Sequence, residues 1–329
     1  MKYSVIIPVY NRPAEVGELL ESIAGQPRPD VEIIIVEDGS QTTCEEVVAR
    51  FQNRLNITYL KKENGGPAAA RNYGAQQASG EWLIILDSDV VLPPGYFEAV
   101  DSGTENLGCD AFGGPDKAAD SFTPVQKAIS YAMTSFFTTG GIRGGKKKMD
   151  KFYPRSYNMG IRSEVYRKLG GFAKMRFGED IDFSYRIVEN GYKACLIPGA
   201  WVWHKRRTDF RKFFKQVHNS GIARINLEKR HPGTMKLVHM LPAAFTIGCL
   251  VFIAGAFFCL WSFLPLMLYA LLVFLGSLVQ NKILKVALLP VPAAFIQLTG
   301  YGTGFIVASV RRYILKGKEF EAFKDNFYK

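Results

Sequence analysis

The stretch that decides the fold is "GEWLIILDSDVVLPP", residues 80–94. Its apolar run, 83–86, is short and continuous, as in a strand that is buried on both faces. Asp87 and Asp89 follow directly, and carboxylates in this position lie at the sheet edge where open α/β sheets bind ligands. Because two neighbouring carboxylates repel each other, the stretch predicts a bound cation; an ordinary acidic turn is the alternative.

Strand and helix patterns alternate upstream of this stretch. The sequence predicts strands at 5–10, within 31–40 and at 57–60, and helices from residue 13, at 43–51 and at 68–78. Such alternation is typical of a parallel sheet. Since parallel strands share one carboxyl edge, we expect Tyr10 and Asp38 to lie near Asp87 and Asp89.

A glycine-rich segment, "NGGPAAARNYGAQQASG" at 64–80, separates two of the strands. Gly65 and Gly66 permit a tight turn, and Arg71 falls in the first turn of the predicted helix. A helix N-terminus with an arginine favours a phosphate or another anion. The segment contains neither a Walker A loop nor the dinucleotide fingerprint G-x-G-x-x-G. We therefore expect a phosphate to be held mostly by a metal ion and by arginine.

Four segments in this order, "SVIIPVYNR", "VEDGS", "NGGPAAARNYG" and "LDSDV", resemble the nucleotide-sugar half of a family 2 glycosyltransferase of the GT-A fold. The likeness continues to about residue 215. It implies an α/β, Rossmann-like nucleotide-sugar-binding domain and a metal-dependent, inverting reaction. One departure is Glu37, where the family often has aspartate; Asp38, the next residue, is retained.

The resemblance also implies roles for individual residues. Tyr10 and Asp38 would hold the base, Arg71 would contact the nucleotide, Asp87 would bind the ribose, and Asp89 would bind a Mg²⁺ or Mn²⁺ that bridges the diphosphate. The implied nucleotide-sugar site is completed by Pro8, Ser88 and Glu179. A UDP-sugar is the expected donor.

An acidic segment in the second half of the chain, "FGEDIDFSYRIVENG" at 177–191, contains Glu179, Asp180 and Asp182. Acids in this position also cap a helix and favour its first turn, which is the alternative interpretation. Sugar transfer with inversion needs one base on the face of the anomeric carbon opposite the leaving group. By the resemblance, Asp180 is that base.

The strand pattern "AWVWH" at 200–204 ends in His204, and basic residues follow it. His204 is either a further metal ligand, a contact to the diphosphate, or an ordinary polar strand end. Arg206 and Arg207 could close over the diphosphate, but they could equally face lipid headgroups.

The charge of the chain is concentrated in one region. The 329 residues leave room for roughly two domains and have a formal net charge of +11, and 205–236 hold ten basic and two acidic residues. One face of the predicted helix here is apolar, with Phe210, Phe213, Phe214 and Val217. This pattern favours a membrane surface over nucleic acid as the partner. Five cysteines without C-x-x-C spacing predict neither a disulfide framework nor a zinc site.

Three apolar segments end the chain. Segments 240–260 and 261–279 carry no charge and are long enough to span a membrane as a tight hairpin. Segment 286–310 contains prolines and glycines and has basic residues on both flanks, which favours a broken, re-entrant or in-plane segment; a third span is the alternative. The predicted regions are 1–225, the glycosyltransferase domain; 226–239, a basic juxtamembrane linker; 240–312, membrane helices; and 313–329, a basic cytosolic tail.

Together these features predict an integral membrane enzyme with its catalytic domain on the cytosolic face of the plasma membrane. The expected acceptor is a lipid-linked or membrane-associated glycan, with membrane lipids and no nucleic acid as further partners; the lipid part is inferred from the anchor. A processive polysaccharide synthase is one alternative, although its Q-x-x-R-W segment is absent where the sequence reads "KQVHNSGIAR". A catalytically inactive scaffold that binds nucleotide-sugar is the other.

Overall fold

The structure is a computed structural model that describes residues 2–26, 30–117, 122–139, 152–205, 208–281 and 287–318. The described chain divides into two compact units: unit one contains 2–117 and 152–204, and unit two contains 122–139 and 205–318. Unit one is α/β and unit two is helical. The units divide after His204, whereas the sequence predicts a domain boundary at 225; the assignment of 1–225 to one functional domain stays a prediction.

Ten strands are described, all of them in unit one. They are β1 (Tyr3–Val9), β2 (Val31–Asp38), β3 (Asn56–Lys62), β4 (Trp82–Leu86), β5 (Val90–Val91), β6 (Ala111–Gly113), β7 (Asp116–Lys117), β8 (Asn158–Arg162), β9 (Ala194–Leu196) and β10 (Val202–His204). The helices, numbered along the described chain, are α1 (Pro13–Ala24), α2 (Glu45–Ala49), α3 (Pro67–Gln77), α4 (Tyr96–Leu107), α5 (Pro124–Thr134), α6 (Phe136–Thr139), α7 (Ser163–Lys168), α8 (Glu179–Glu189), α9 (Phe210–Arg230), α10 (Leu241–Gly255), α11 (Leu264–Asn281) and α12 (Pro290–Ser309).

Seven of the described strands form the main sheet, in the order β3-β2-β1-β4-β8-β6-β9. The strands β1 to β4 are parallel, as predicted, and β8 runs antiparallel between β4 and β6. The central strands are continuous apolar runs because helices cover both faces of the sheet. Helix α1 buries Leu19 and Leu20 on one face, and α3 buries Ala70 and Ala75 on the other. This confirms the predicted α/β fold.

A second, three-stranded sheet has the order β5-β10-β7. Strand β10 pairs with β5 so that His204 lies opposite Val90, and it pairs with β7 so that Val202 lies opposite Asp116. Since Asp89 immediately precedes β5, the small sheet brings His204 and Asp116 to the residues that follow β4.

The basic helix α9 buries most of its apolar face inside unit two; Phe214 is exposed. Phe213 and Val217 form one buried cluster with residues of α5 and α12. The sequence predicts that this face meets the membrane; the structure gives it protein neighbours instead, because α5 and α12 present alanines to it. The helix also includes 226–230, which the sequence assigns to a linker.

Helix α12 is continuous over Pro290–Ser309, so of the predicted arrangements of 286–310 the broken one does not hold for the residues described there, while the choice between a re-entrant, an in-plane and a spanning segment stays a prediction. Pro290 and Pro292 lie in its first turn, where proline is tolerated. Gly300 and Gly304 lie where α9 approaches: a Cβ at Gly304 would lie 1.9 Å from the carbonyl oxygen of His218. These glycines permit close helix packing and do not interrupt the helix.

Two described segments are long and apolar enough to cross a membrane, Leu260–Val279 and Pro290–Ile314. The first predicted span, 240–260, becomes the shorter helix α10, because the chain turns after Gly255. The turn leads through a 3₁₀ turn at Leu260–Phe263 into α11, which gives the predicted tight hairpin.

Candidate active site

The carboxyl ends of β1, β2 and β4 lie side by side because the three strands are parallel neighbours. Pro8 and Tyr10, at the end of β1, are half-buried. Asp38 ends β2 and is buried, as is Ser88 after β4. The structure therefore brings these predicted donor-site residues to one edge of the sheet, as the strand pattern predicts.

Asp87, Asp89 and His204 form a cluster at this edge. One ligand atom of each lies within 4.8 Å of the others, and His204 Nε2 lies 3.4 Å from Asp89 Oδ1. The turn that holds the two aspartates is closed by a hydrogen bond from the Val90 N–H to the Asp87 carbonyl, at 3.3 Å. Two carboxylates and an imidazole are suitable ligands for a divalent cation such as Mn²⁺.

His204 has two further neighbours that sequence reasoning missed. Its ring stacks on Tyr157 at a centroid distance of 4.9 Å, and its Nδ1 lies 3.9 Å from Asp116 Oδ2. Asp116 also accepts a hydrogen bond from the Tyr157 hydroxyl at 3.4 Å. Among the described residues, His204 Nδ1 is buried without a hydrogen-bond partner. A carboxylate beside this nitrogen favours the tautomer that leaves Nε2 as the ligand atom.

Arg12 forms an ion pair with Asp89. Burial lowers the pKa of Arg12, but the nearby carboxylates, Asp89 first among them, together raise it overall. Arg12 is the last residue of the segment "SVIIPVYNR". Its position directly after the first strand could have indicated that it lies at the same sheet edge as Asp89. The pair gives the site a fixed positive charge next to a carboxylate of the cluster.

Arg71 connects the sheet edge to α8. It is buried and donates to Asp87 Oδ1 at 2.8 Å and to Glu179 Oε1 at 3.0 Å. Burial lowers the pKa of Arg71, but the charges of Asp87 and Glu179 raise it overall. Burial also raises the pKa of Glu179, although Arg71 opposes this. The arginine thus brings the cluster and the start of α8 to the same site.

Asp180 lies beside Glu179 in the first turn of α8 and forms an ion pair with Arg155, a residue that sequence reasoning did not single out. Arg155 Nε donates to Asp180 Oδ2 at 2.7 Å, and the Ile181 N–H donates to Oδ1 at 2.9 Å. Burial raises the pKa of Asp180, but Arg155, together with Arg71 and the Ile181 N–H, lowers it below its ordinary value overall. The carboxylate is therefore ionised at neutral pH.

Asp38 orders the glycine-rich loop. Its carboxylate accepts hydrogen bonds from the N–H groups of Gly65 and Gly66, at 2.8 and 2.7 Å, and from Lys62 Nζ at 2.7 Å. The sequence predicts a phosphate or another anion at this helix N-terminus; in the structure the two N–H groups bind the carboxylate of Asp38, and the phosphate site stays a prediction. The loop is close-packed, since a Cβ at Gly39 would lie 2.7 Å from the Asn64 nitrogen.

Glu37, which departs from the resemblance, is buried and turns away from this loop. It accepts hydrogen bonds from the Cys44 N–H at 3.2 Å and from the Tyr59 hydroxyl at 3.1 Å. Burial and then Glu37 raise the pKa of the Cys44 thiol to about 12. The contacts of Glu37 thus hold β2, β3 and the start of α2 together. The predicted Arg206 and Arg207 lie outside the described residues.

Curated proteins with similar sequences are glycosyltransferases. Over 93 residues the chain is 39% identical to poly(ribitol-phosphate) beta-N-acetylglucosaminyltransferase TarS of Staphylococcus aureus, a match that covers 27% of this chain and 16% of TarS. Over 194 residues it is 32% identical to an uncharacterized glycosyltransferase of Haemophilus influenzae, covering 56% of this chain and 62% of that protein. The chain thus spans only part of these relatives.

Solved structures share the fold at low sequence identity. Mannosyltransferase PcManGT from Pyrobaculum calidifontis, in complex with GDP-Man and Mn²⁺, is 19% identical with a TM-score of 0.65, over 96% of this chain and 88% of that one. TarS residues 1–349 in complex with UDP-GlcNAc is 18% identical with a TM-score of 0.50, over 97% of this chain and 93% of that one. Residues 4–170, about half of the sequence, match the family profile "Glycosyl transferase family 2", so the chain belongs to glycosyltransferase family 2.

Proposed function

We propose that the protein is an inverting glycosyltransferase that moves a sugar from a nucleoside diphosphate sugar to a hydroxyl of a membrane-associated glycan. The observation that carries this proposal is the bridge made by Arg71 between Asp87 and Glu179. It joins the cluster suited to a donor diphosphate to the helix turn that holds Asp180. In this proposal a donor held at the cluster would lie close to the base, as a direct displacement requires.

A divalent cation fits the cluster of Asp87, Asp89 and His204. The ligand atoms are oxygens and an imidazole nitrogen, and the second ring nitrogen faces Asp116. We propose Mg²⁺ or Mn²⁺, with Asp89 and His204 as its principal ligands. When bound, such an ion offsets the negative charge that grows on the departing diphosphate. Arg12, which pairs with Asp89, adds positive charge on the same side.

The base in this proposal is Asp180. The acceptor hydroxyl attacks the anomeric carbon while the bond between that carbon and the diphosphate oxygen breaks, and Asp180 takes the hydroxyl proton. An ionised carboxylate can do this, and its hydrogen bond to Arg155 fixes its orientation. The oxocarbenium character of the transition state requires the attacking and leaving oxygens to lie on opposite faces of the sugar.

For the donor, we propose a UDP-sugar. Tyr10 and Asp38 would hold the base at the ends of β1 and β2, with Pro8 and Ser88 lining the site and Asp87 near the ribose. Because Asp38 already accepts hydrogen bonds from two N–H groups of the glycine-rich loop and from Lys62 at the end of β3, it would act in part by shaping that loop. The remaining proposed donor contacts are Arg71, Glu179, Arg206 and Arg207.

For the acceptor, we propose a lipid-linked or membrane-associated glycan of the cell envelope. TarS, which shares a 93-residue match, is named for a poly(ribitol-phosphate) acceptor. The apolar helices of unit two support a membrane location, with the catalytic unit on the cytosolic face of the plasma membrane. Polysaccharide biosynthesis is the process to which such a transfer belongs.

A donor screen tests the proposal. Binding of UDP- and GDP-sugars to the purified protein is measured by calorimetry with Mn²⁺, with Mg²⁺ and with a chelator, and slow hydrolysis of each donor is followed in parallel. We expect tight, metal-dependent binding of one nucleotide class and hydrolysis of its sugar. Binding without any hydrolysis or transfer would favour an inactive scaffold, and no binding of any donor would contradict the proposal.

A further inference from the structure

We infer that unit two enters the membrane from one side only: the hairpin of α10 and α11 dips into one leaflet and turns back, while α12 lies at the membrane surface beside α9. This inference rests on the membrane location in the proposed function, and it is independent of the chemistry of the transfer. Length and composition alone would allow both α11 and α12 to cross.

Helix α9 packs along α12 over much of its length. Phe213 of α9 shares a buried cluster with Ala293 near the start of α12. Further along, His218 Nδ1 lies 3.0 Å from Thr303 Oγ1, and a Cβ at Gly221 would lie 2.1 Å from the Tyr301 carbonyl oxygen. Any depth that α12 takes in the membrane is therefore shared by α9.

The composition of α9 excludes the hydrocarbon core. Besides the exposed basic residues near its two ends, Arg211, Lys212, Lys215, Lys229 and Arg230, the helix contains Arg224 and Glu228 in its second half. Charged side chains are strongly disfavoured within hydrocarbon, whereas basic residues are attracted to anionic headgroups. Helix α9 therefore lies at the headgroup level, and α12, packed along it, lies there too.

The base of the hairpin is held against α12. A Cβ at Gly302 would lie 2.1 Å from Thr246 Oγ1 of α10, and the Tyr269 ring of α11 lies 5.3 Å from that of Phe295. From Thr246 to Gly255, the end of α10, a helix rises only about 14 Å. The hydrocarbon core is about 30 Å thick, so this arm reaches roughly the bilayer midplane when its base lies at the surface.

The tip of the hairpin is suited to hydrocarbon and not to water. Phe257, Phe258, Leu260 and Trp261 are 88%, 94%, 79% and 78% exposed. The turn is closed by backbone hydrogen bonds, including Phe258 N–H to the Gly255 carbonyl at 2.9 Å, and 240–281 contain no charged residue. A hairpin that stops in the bilayer buries these apolar side chains in hydrocarbon, and with no charged residue in 240–281 it carries no charge into the bilayer.

Cys259 at the tip is a native reporter of this topology. It is exposed, whereas Cys44, Cys109, Cys195 and Cys249 are buried. A membrane-impermeant maleimide is applied to intact cells that produce the protein, to inside-out vesicles from them, and to the same membranes in detergent. We expect labelling of Cys259 only in detergent, and none in the matched Cys259→Ser variant.

Two cysteines introduced into the Cys259→Ser variant test on which side of the membrane the chain lies before α10 and after α12. Lys236, before α10, and Tyr313, after α12, are exposed. We expect Lys236→Cys and Tyr313→Cys to be labelled from the same side of the membrane. Labelling of these two from opposite sides, or labelling of Cys259 from either aqueous side, would overturn the inference.

Alkaline extraction of the same membranes separates this inference from the proposed function. Retention of the protein is expected. Release would overturn both the inference and the membrane location, while leaving the donor-binding result of the proposed function unaffected. Retention together with a labelled Cys259 would overturn the one-sided topology alone.

Discussion

Arg155 donates a hydrogen bond from Nε to Asp180 Oδ2 at 2.7 Å, and it thereby holds the carboxylate that the proposed reaction uses as its base. Burial raises the pKa of Asp180, but Arg155 and, from α3, Arg71 lower it overall. A carboxylate with a low pKa is ionised at neutral pH but accepts a proton weakly. The ion pair therefore affects both the protonation state and the strength of the base.

Replacement of Arg155 is expected to change the pH dependence of the reaction. In Arg155→Gln the pKa of Asp180 rises, because burial is then opposed mainly by Arg71, while Glu179 adds a nearby acidic group. Asp180 accepts a proton only when ionised, so the acid limb of the kcat profile should move to higher pH. Initial rates from about pH 4 to 8 measure this shift.

Two variants serve as controls for this prediction. Arg155→Lys keeps a positive charge and should leave the acid limb close to that of the wild type. Arg162→Gln removes an arginine at the end of β8, whose Nε lies 3.8 Å from Asp110, and should leave it unchanged. An unchanged acid limb in Arg155→Gln would show that Arg155 does not tune the base.

Loss of the Asp89 carboxylate should abolish the metal dependence of donor binding. Asp89→Asn removes a charged ligand from the cluster with Asp87 and His204, so transfer should be lost and added Mn²⁺ should no longer tighten nucleotide binding. Calorimetry with and without Mn²⁺ measures the effect. The protein should remain folded, because Asp89 lies at the sheet edge beyond β4.

Glu105→Gln is the matched control, since it removes an exposed carboxylate near the end of α4. It should keep both transfer and metal dependence. Full activity in Asp89→Asn, or in the wild type with excess chelator, would contradict a metal role at this cluster.

Replacement of Asp180 should separate binding from transfer. Asp180→Asn keeps the size of the side chain but removes its basicity, so donor affinity should persist while kcat falls roughly 100-fold or more. Donor calorimetry and transfer rates on one preparation measure both quantities. Lost donor affinity with unchanged kcat would instead assign Asp180 to donor binding.

The sequence predicts the first half of the fold well because each element there carries its own signal. Strands β1, β2 and β4 are continuous apolar runs, and α1 has apolar residues at helical spacing. The strand order then follows from parallel pairing, which brings Asp38 and Asp87 to one edge. The local apolar pattern and the parallel topology are therefore enough to predict where Asp38 and Asp87 lie.

Other contacts could not be predicted because they join distant segments. Arg155 is 25 residues from Asp180, and Arg12 is 77 residues from Asp89. Tyr157 meets His204 only because the small sheet brings β10 beside β5. No local pattern reports such pairs, which depend on the tertiary fold.

The C-terminal region shows a different limit of sequence reasoning. An apolar face on a basic helix has the same pattern whether it meets lipid or protein, and Phe213 and Val217 of α9 meet protein. A chain that ends near residue 228 would therefore lose the α12 surface on which α9 packs. Such a truncation is not a neutral way to remove the membrane helices.

The contact between α9 and α12 should be sensitive to a single methyl group. In Gly304→Ala the new Cβ would lie 1.9 Å from the His218 carbonyl oxygen, a backbone atom that cannot rotate away, so unit two should lose about 1–3 kcal/mol of stability. Gly248→Ala is the matched control, because its nearest neighbour is Phe252 Cε2 at 3.8 Å. Alanine also favours a helix over glycine, so this control should be neutral or slightly stabilising. Thermal unfolding in detergent measures both variants, and equal stability of the two would contradict the close packing of α9 on α12.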